Sequence, residues 1–226
     1  MLIAFTGCDG CGKSTQVRRA AEWLTSSGAT VRILDKWQIY DRTLFPECRL
    51  LGGSIDDFRE CIAEMKGAAR TLLALWPIVI TAQSIEQLDG RCDVFLADGY
   101  WMKVAAAELE YGAPPALIRA CIDQMRKPDL TLVLDASPER TLQRKLAAKL
   151  LQPYECGCDA DLPHEKYLTQ QGNIRSTLGR WADEYLWKVI NAEGSSDQVW
   201  ETVRDTLEDY LCGKGILGRF PKRRVG

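Results

Sequence analysis

The sequence predicts an α/β fold, a parallel five-stranded sheet with helices on both faces. Three observations lead there. Short apolar runs of strand length alternate along the chain with longer stretches of helical spacing, the rhythm of strands joined by crossover helices. Those runs are apolar at nearly every position, as strands buried on both faces must be. The 226 residues are 46% hydrophobic and carry neither an internal repeat nor a linker-like segment, so one domain over residues 1–226 is expected.

The elements follow in order. Leu2 to Phe5 is an apolar run entering a glycine-rich loop. Lys13 to Ser27 places Val17, Ala20, Ala21 and Leu24 on one helical face, and Gly28 stops it. Thr30 to Leu34 reads as the second strand. Helical spacing then starts at Ser54, which can cap it, and runs to about Leu75. Pro77 is expected to break or kink that helix before a further one reaches Leu88. Asp93 to Ala97 is the third strand, closed by Asp98. A helix fits Pro114 to Met125, Leu130 to Asp135 is the fourth strand, and Pro138 opens the next helix. Leu150 to Pro163 is irregular. A helix capped by Asp161 extends to Asp183, although Gly172 and Gly179 each cost about 1 kcal/mol relative to alanine. Trp187 to Ile190 is the last strand, and Ser196 to Leu211 the closing helix before Gly213.

Composition excludes some functions. A net charge of −2 offers no global attraction to nucleic acid or to an anionic membrane. Apolar runs such as Leu72 to Ile80 are too short to cross a bilayer. The N-terminus has no basic lead, and nine cysteines form no regular framework, so the expectation is a cytoplasmic chain with free thiols.

Chemistry concentrates first in "TGCDGCGKST", Thr6 to Thr15. Gly7 to Ser14 satisfies G-x-x-x-x-G-K-[ST] between a strand and a helix, the context of a phosphate loop. Gly7, Gly10 and Gly12 let the backbone curl so that N–H groups around Asp9 and Cys11 point at phosphate oxygens. The helix start at Lys13 adds its positive dipole end. In such a loop Lys13 neutralises the β/γ-phosphates and the Ser14 hydroxyl ligates Mg²⁺. The Cys8–Cys11 C-x-x-C spacing also fits a redox or metal pair, but thiolates would repel a triphosphate, which favours small filler side chains. Asp98 ends its strand on the same edge, where an acid can hold Mg²⁺ or take the acceptor's proton. Asp135 has a similar place, and capping the turn before Pro138 explains it equally well. The fold class is thus P-loop NTPase-type.

"GCDGCGKSTQ" resembles the opening of thymidylate kinases, and "RKPDLTLVLDASPERTLQR" (126–144) resembles their P-D-L-T-x-x-L-D-x-x-P-E stretch and the helix leading into their lid, which implies a lid segment over about residues 145–163. "VINAE" (189–193) is similar to the loop against which that family lays adenine. The resemblance implies an ATP- and Mg²⁺-dependent kinase of nucleotide biosynthesis that passes the γ-phosphoryl to a nucleoside monophosphate such as dTMP. It implies ATP contacts from Gly7 to Thr15 and from Ala192 and Glu193, and a place for Asp9 facing the acceptor's sugar hydroxyl. It also implies a homodimer. Gly10 stands where one branch has an arginine, while Arg140, Arg144, Lys145 and Lys149 cluster ahead of the lid as in the other branch. Arg140 and Arg144 become candidates to stabilise the transferring phosphoryl, together with Lys13 and Asp98 as catalytic groups.

The departures all fall on the acceptor side. Asp98-Gly99-Tyr100 lacks the arginine of the family's Asp-Arg-[YFH], "DKWQIYD" (35–41) replaces x-R-E-P-G-G-T, and "LWP" (75–77) replaces A-D-R. "WMKVAAAELEY" (101–111) does not reproduce S-x-x-A-Y-Q. Trp37, Tyr40, Trp76 and Tyr100 sit in those altered segments as candidate acceptor contacts, beside Trp101. Arg42, with Lys36 and Lys103, is a candidate for the lost phosphate contact. Alternatives to the nucleoside monophosphate reading are a P-loop kinase acting on a nucleoside or other small hydroxyl, and a non-catalytic nucleotide-binding regulator. Cys156, Cys158 and His164 form a partial zinc set without an evident fourth ligand. The basic tail, 213–226, reads as a solvated end.

Overall fold

The computed structural model describes residues 1–88, 90–157, 161 and 163–215. Five strands, β1 (Leu2–Thr6), β2 (Val31–Leu34), β3 (Val94–Asp98), β4 (Leu130–Asp135) and β5 (Lys188–Asn191), form one sheet in the order β2-β3-β1-β4-β5. Every pairing is parallel. Alternation along the strands divides the core in two. Leu2, Ala4, Phe95, Ala97 and Val133 face one layer, packed by α3 (Gly67–Gln87), α4 (Trp101–Glu110) and α7 (His164–Tyr185). Ile3, Phe5, Leu96, Leu132 and Ile190 face the other, packed by α1 (Lys13–Ser26) and α8 (Ser196–Gly213). The predicted α/β fold is the observed one.

The remaining helices are α2 (Ile55–Glu64), α5 (Pro115–Ile122) and α6 (Pro138–Ala147), with short 3₁₀ turns at Lys36–Tyr40, Pro46–Leu50 and Pro153–Cys156. The expected helix from Ser54 is divided elsewhere than at Pro77. Ser54 does cap α2, but that helix ends at Glu64, and Gly67, with φ +59°, starts α3. Pro77 lies inside α3, where the Thr81 hydroxyl donates to its carbonyl. Because α3 runs unbroken for 21 residues and contains an 18-residue window with a mean hydropathy of 1.3, it has the length and apolarity of a membrane span. It is instead the central helix of one core layer, where Ala74, Leu75, Ile78, Ala82 and Ile85 are buried. The spacing of 101–110 gives no clear helical signal, yet α4 forms there. Asp161 makes no cap to α7, whose flanking residue is Pro163.

Parallel strands bring all their carboxyl ends to one edge. Phe5 pairs with Asp98 and Thr6 with Val133, so the loop leaving β1 emerges between the ends of β3 and β4. Open α/β sheets place ligands at that edge.

Candidate active site

The loop 7–12 leaves β1 and curls over the start of α1. Gly12 carries φ +101° at the helix N-cap, a conformation glycine adopts without steric cost. Gly10 is constrained from outside as well, since a Cβ there would lie 2.9 Å from the Thr141 carbonyl oxygen on α6. A loop arginine at this position would collide with α6, and Lys145 leans in beside it instead. The far side of the loop is held by α7. The Asp9 N–H donates to Gln171 Oε1 at 3.0 Å, and the Tyr167 hydroxyl donates to the Asp9 carbonyl at 2.8 Å.

A cleft of about 520 Å³ opens over this loop. Gly10, Gly12, Lys13, Ser14 and Thr15 line its donor end, and Asp9, Asp35 and Asp98 line its middle. Lys13 Nζ bends back to donate to the Gly7 and Cys8 carbonyls at 3.0 and 2.8 Å. Burial alone would pull this ammonium down, but Cys11, Asp9 and Asp98 around it hold its pKa above the ordinary lysine value. The Cys8 thiol is pushed up to about 12, mainly by burial, and that of Cys11 also rises. Both stay protonated and fill the loop's underside. Among the described residues no cluster of three or more His, Cys, Asp or Glu could hold a metal. Cys156 is buried beside Leu142 and Tyr167, while Cys158 lies outside the described residues.

Asp98 ends β3 with no hydrogen-bond partner for its carboxylate among the described residues, and the Ser14 hydroxyl across the cleft has none either. Two unengaged oxygen ligands facing one cleft suit magnesium, which takes one or two protein oxygens and completes its shell with water and phosphate. Asp135 plays neither of its expected parts. Arg175 of α7 clamps it through two bonds of 2.6 and 2.7 Å, and Ser137 caps α6.

The lid basics divide. Arg144 lines the cleft and donates to the carbonyls of Ala192 and Gly194 at 2.9 and 2.7 Å, tying the 192–194 loop to α6. Arg140 is outside the cleft lining and donates to the Glu193 carbonyl. The Glu193 side chain accepts from the Ser137 N–H, and the Ala192 N–H donates to Asp135 O. Lys145 lines the cleft, paired with buried Glu155 at 2.5 Å.

On the acceptor side only Trp37 of the aromatic candidates reaches the cleft. Tyr100 is buried in the core and donates to the Arg126 carbonyl. Trp76 packs on Ile39 and Phe45 away from the cleft. Tyr40 donates to Ser54 O, and exposed Arg42 donates to Leu51 O. Trp101 belongs to an aromatic cluster with Trp181 and Trp187. In their place the cleft holds Lys36, Arg59, Lys103 and Tyr154, and it adjoins a smaller apolar recess floored by Ile62, Ala74, Ala107 and Tyr111. Lys36 and Lys103 carry a sequence signal, lying just after β2 and just after Asp98. Arg59, Arg70 and Tyr154 carry none, because they come from segments whose spacing is ordinary.

Arg70 and Glu108 form a buried pair at 3.1 Å beside the recess, with the guanidinium 3.7 Å from the Tyr111 ring centroid. Charge here is therefore neutralised internally.

No family model matches this chain. Curated relatives do. A thymidylate kinase of Synechococcus sp. (strain CC9605) is 30% identical over 222 residues, covering 93% of this chain and 98% of the relative. One of Dinoroseobacter shibae is 34% identical over 161 residues, covering 65% and 69%. One of Caenorhabditis elegans is 26% identical over 204 residues, covering 90% and 88%. With the phosphate loop, the parallel sheet and full-length similarity in agreement, the chain belongs to the thymidylate kinase family.

Proposed function

We propose that this protein is an ATP-dependent kinase that passes the γ-phosphoryl group of ATP to a nucleoside monophosphate of the dTMP type. One observation carries the reading. Lys13 and Ser14 at one end and Lys36, Trp37 and Lys103 at the other line a single continuous cleft, with Asp9 and Asp98 between them. Donor and acceptor bound at its two ends would meet over the carboxylates.

The chain's own work is positioning and charge neutralisation. The loop amides and the α1 dipole hold the donor's phosphates. Lys13 is placed to swing from the loop carbonyls onto phosphate oxygens, and Arg144 stands over the cleft to meet charge spread on the transferring group. Asp9, paired with Lys103, and Asp98 line the cleft between its two ends, where a phosphate oxygen of the acceptor would attack the γ-phosphoryl with no proton to be removed from the dianion. Ser14 and Asp98 are the groups that would hold magnesium, which when bound supplies Lewis-acid neutralisation of the phosphates.

Release of ADP from ATP with dTMP as acceptor tests this. Turnover is expected with dTMP, and Lys13→Ala should lower kcat/KM by on the order of 100-fold or more. Activity that survives Lys13→Ala, or no transfer to any nucleoside monophosphate while ATP binds, would overturn the reading.

A further inference from the structure

Three cations surround the neck between the main cleft and the apolar recess. Lys36 follows β2, Arg59 projects from α2 and Lys103 from α4, and all three line both cavities together with Trp37. Lys36 Nζ lies 4.7 Å, and the Arg59 guanidinium carbon 4.9 Å, from the Trp37 ring centroid. One indole thus holds two like charges near each other.

Nothing in the chain fully answers this charge. The Lys36 ammonium makes no hydrogen bond or ion pair among the described residues. Arg59 spends one terminal nitrogen on exposed Asp56, and its Nε is buried without a partner. Lys103 pairs with Asp9 at 2.6 Å, and its ammonium lies 5.6 Å from the Tyr154 ring centroid. The acids lining the two cavities are Asp9, Asp35, Asp98, Glu108 and Glu155; Glu108 is taken by Arg70, Glu155 by Lys145, and Asp35 already accepts the Trp37 N–H as the cap of its turn. Burial and the nearby Lys103 bring the Lys36 ammonium down to about 8, the cost of holding a cation in this company. Such crowding is unfavourable until an anion arrives, and a dianionic phosphomonoester offers oxygens to several donors at once. Arg70 does not compete for it, because Glu108 and the Ile62 carbonyl take its nitrogens and Tyr111 covers its face.

We propose that Lys36, Arg59 and Lys103, gathered around Trp37, bind the phosphate of the acceptor, so that the acceptor is recognised as a phosphomonoester. The proposal rests on the kinase reading for which end of the cleft is the acceptor's, and adds which groups of this chain receive it. Gly99 contributes no side chain next to Lys13, so the acceptor-side charge comes from three other elements. Trp37 is the positioning residue that keeps two of the cations in place, and its ring is used for them rather than for a planar base.

Calorimetric binding without ATP tests this, using dTMP, thymidine and the base-free probe 2-deoxyribose 5-phosphate. The native protein is expected to prefer dTMP over thymidine by at least about tenfold. Lys36→Met and Arg59→Met should each weaken both phosphorylated probes by about tenfold or more and leave thymidine unchanged. Trp37→Leu should act the same way, with Trp37→Phe restoring most of the affinity. A fluorescent ATP analogue, bound equally by all variants, checks that they fold and that the donor end is intact. Equal affinity for dTMP and thymidine, parallel loss of both in the variants, or no measurable binding of either phosphorylated probe would overturn the proposal. If ATP fails to bind while the dTMP preference and its loss in the variants persist, the kinase reading falls and the phosphate site stands.

Discussion

Lys103 of α4 reaches Asp9 of the phosphate loop at 2.6 Å, with both side chains largely shielded from water. The contact joins the acceptor side of the cleft to the donor loop. Burial by itself would raise the Asp9 carboxyl, yet Lys103, with Lys13 and Lys145 behind it, holds that group well below the usual carboxylate range.

A depressed folded pKa fixes the sign of the pH dependence. The stabilisation is fully present above the unfolded carboxylate value of about 4 and is lost as pH falls below it. Lys103→Met should therefore destabilise the chain by about 2–4 kcal/mol at pH 7, with the deficit shrinking towards pH 2. Urea unfolding at the two pH values measures this. An unchanged midpoint at pH 7 would mean that Lys13 and Lys145 hold Asp9 without help.

Lys36 is depressed as well, but there it is the charged form that the fold disfavours. Its folded pKa of about 8 lies below the ordinary 10.5, so between those values the unfolded chain binds more protons and stability rises with pH. At neutral pH the folded protein carries the charge at a cost. Lys36→Met is expected to raise the stability of the free protein at pH 7 by on the order of 1 kcal/mol while weakening the acceptor. Thermal unfolding with and without dTMP separates the two effects, and a lower melting temperature in the free variant would contradict the strained-cation account.

Gly10 is limited by its backbone and by α6 together. At φ +84°, with Thr141 O 2.9 Å from any added Cβ, Gly10→Ala should cost about 1–3 kcal/mol. Gly10→Arg should in addition displace Lys145 and lower ATP affinity. Melting temperature and nucleotide titration report both, and an Arg variant as stable and as tight as the native chain would show that α6 yields freely.

The Arg70–Glu108 pair has side-chain exposures of 6% and 3%, so removing one member strands a buried charge. Arg70→Ala should cost about 3–5 kcal/mol. Arg70→Met with Glu108→Leu should recover most of that loss, since an apolar pair of similar volume leaves no charge uncompensated. Equal instability of the single and double variants would assign the loss to packing on Tyr111 rather than to charge.

The donor end is legible in the sequence because its residues are consecutive. Spacing within one loop carries the geometry, so Gly7 to Thr15 can be placed from the sequence, and so can Asp98 at a strand end. On the acceptor side the sequence points to Trp37, Lys36 and Lys103, which line the cleft, and equally to Tyr40, Arg42, Trp76 and Tyr100, which do not. Trp76 and Ala74 are two positions apart on α3, roughly 200° around the helix, and it is Ala74 that faces the recess. Trp101 and Lys103 stand in the same relation on α4, with the lysine turned to the cleft and the tryptophan to Trp181 and Trp187. Large aromatics suit ligand contacts and cores equally well, and here the cores claim most of them because burying their area stabilises the fold.

What the sequence determined alone was the five strands, the phosphate-binding loop and the acids at strand ends, each encoded within a few consecutive residues. Tertiary structure decided which cations stand together at the neck and which aromatics are spent in the core. Lys36, Arg59 and Lys103 come from three elements far apart in the chain. Only the sheet order and the rotation of each helix about its own axis bring those charges into one another's field.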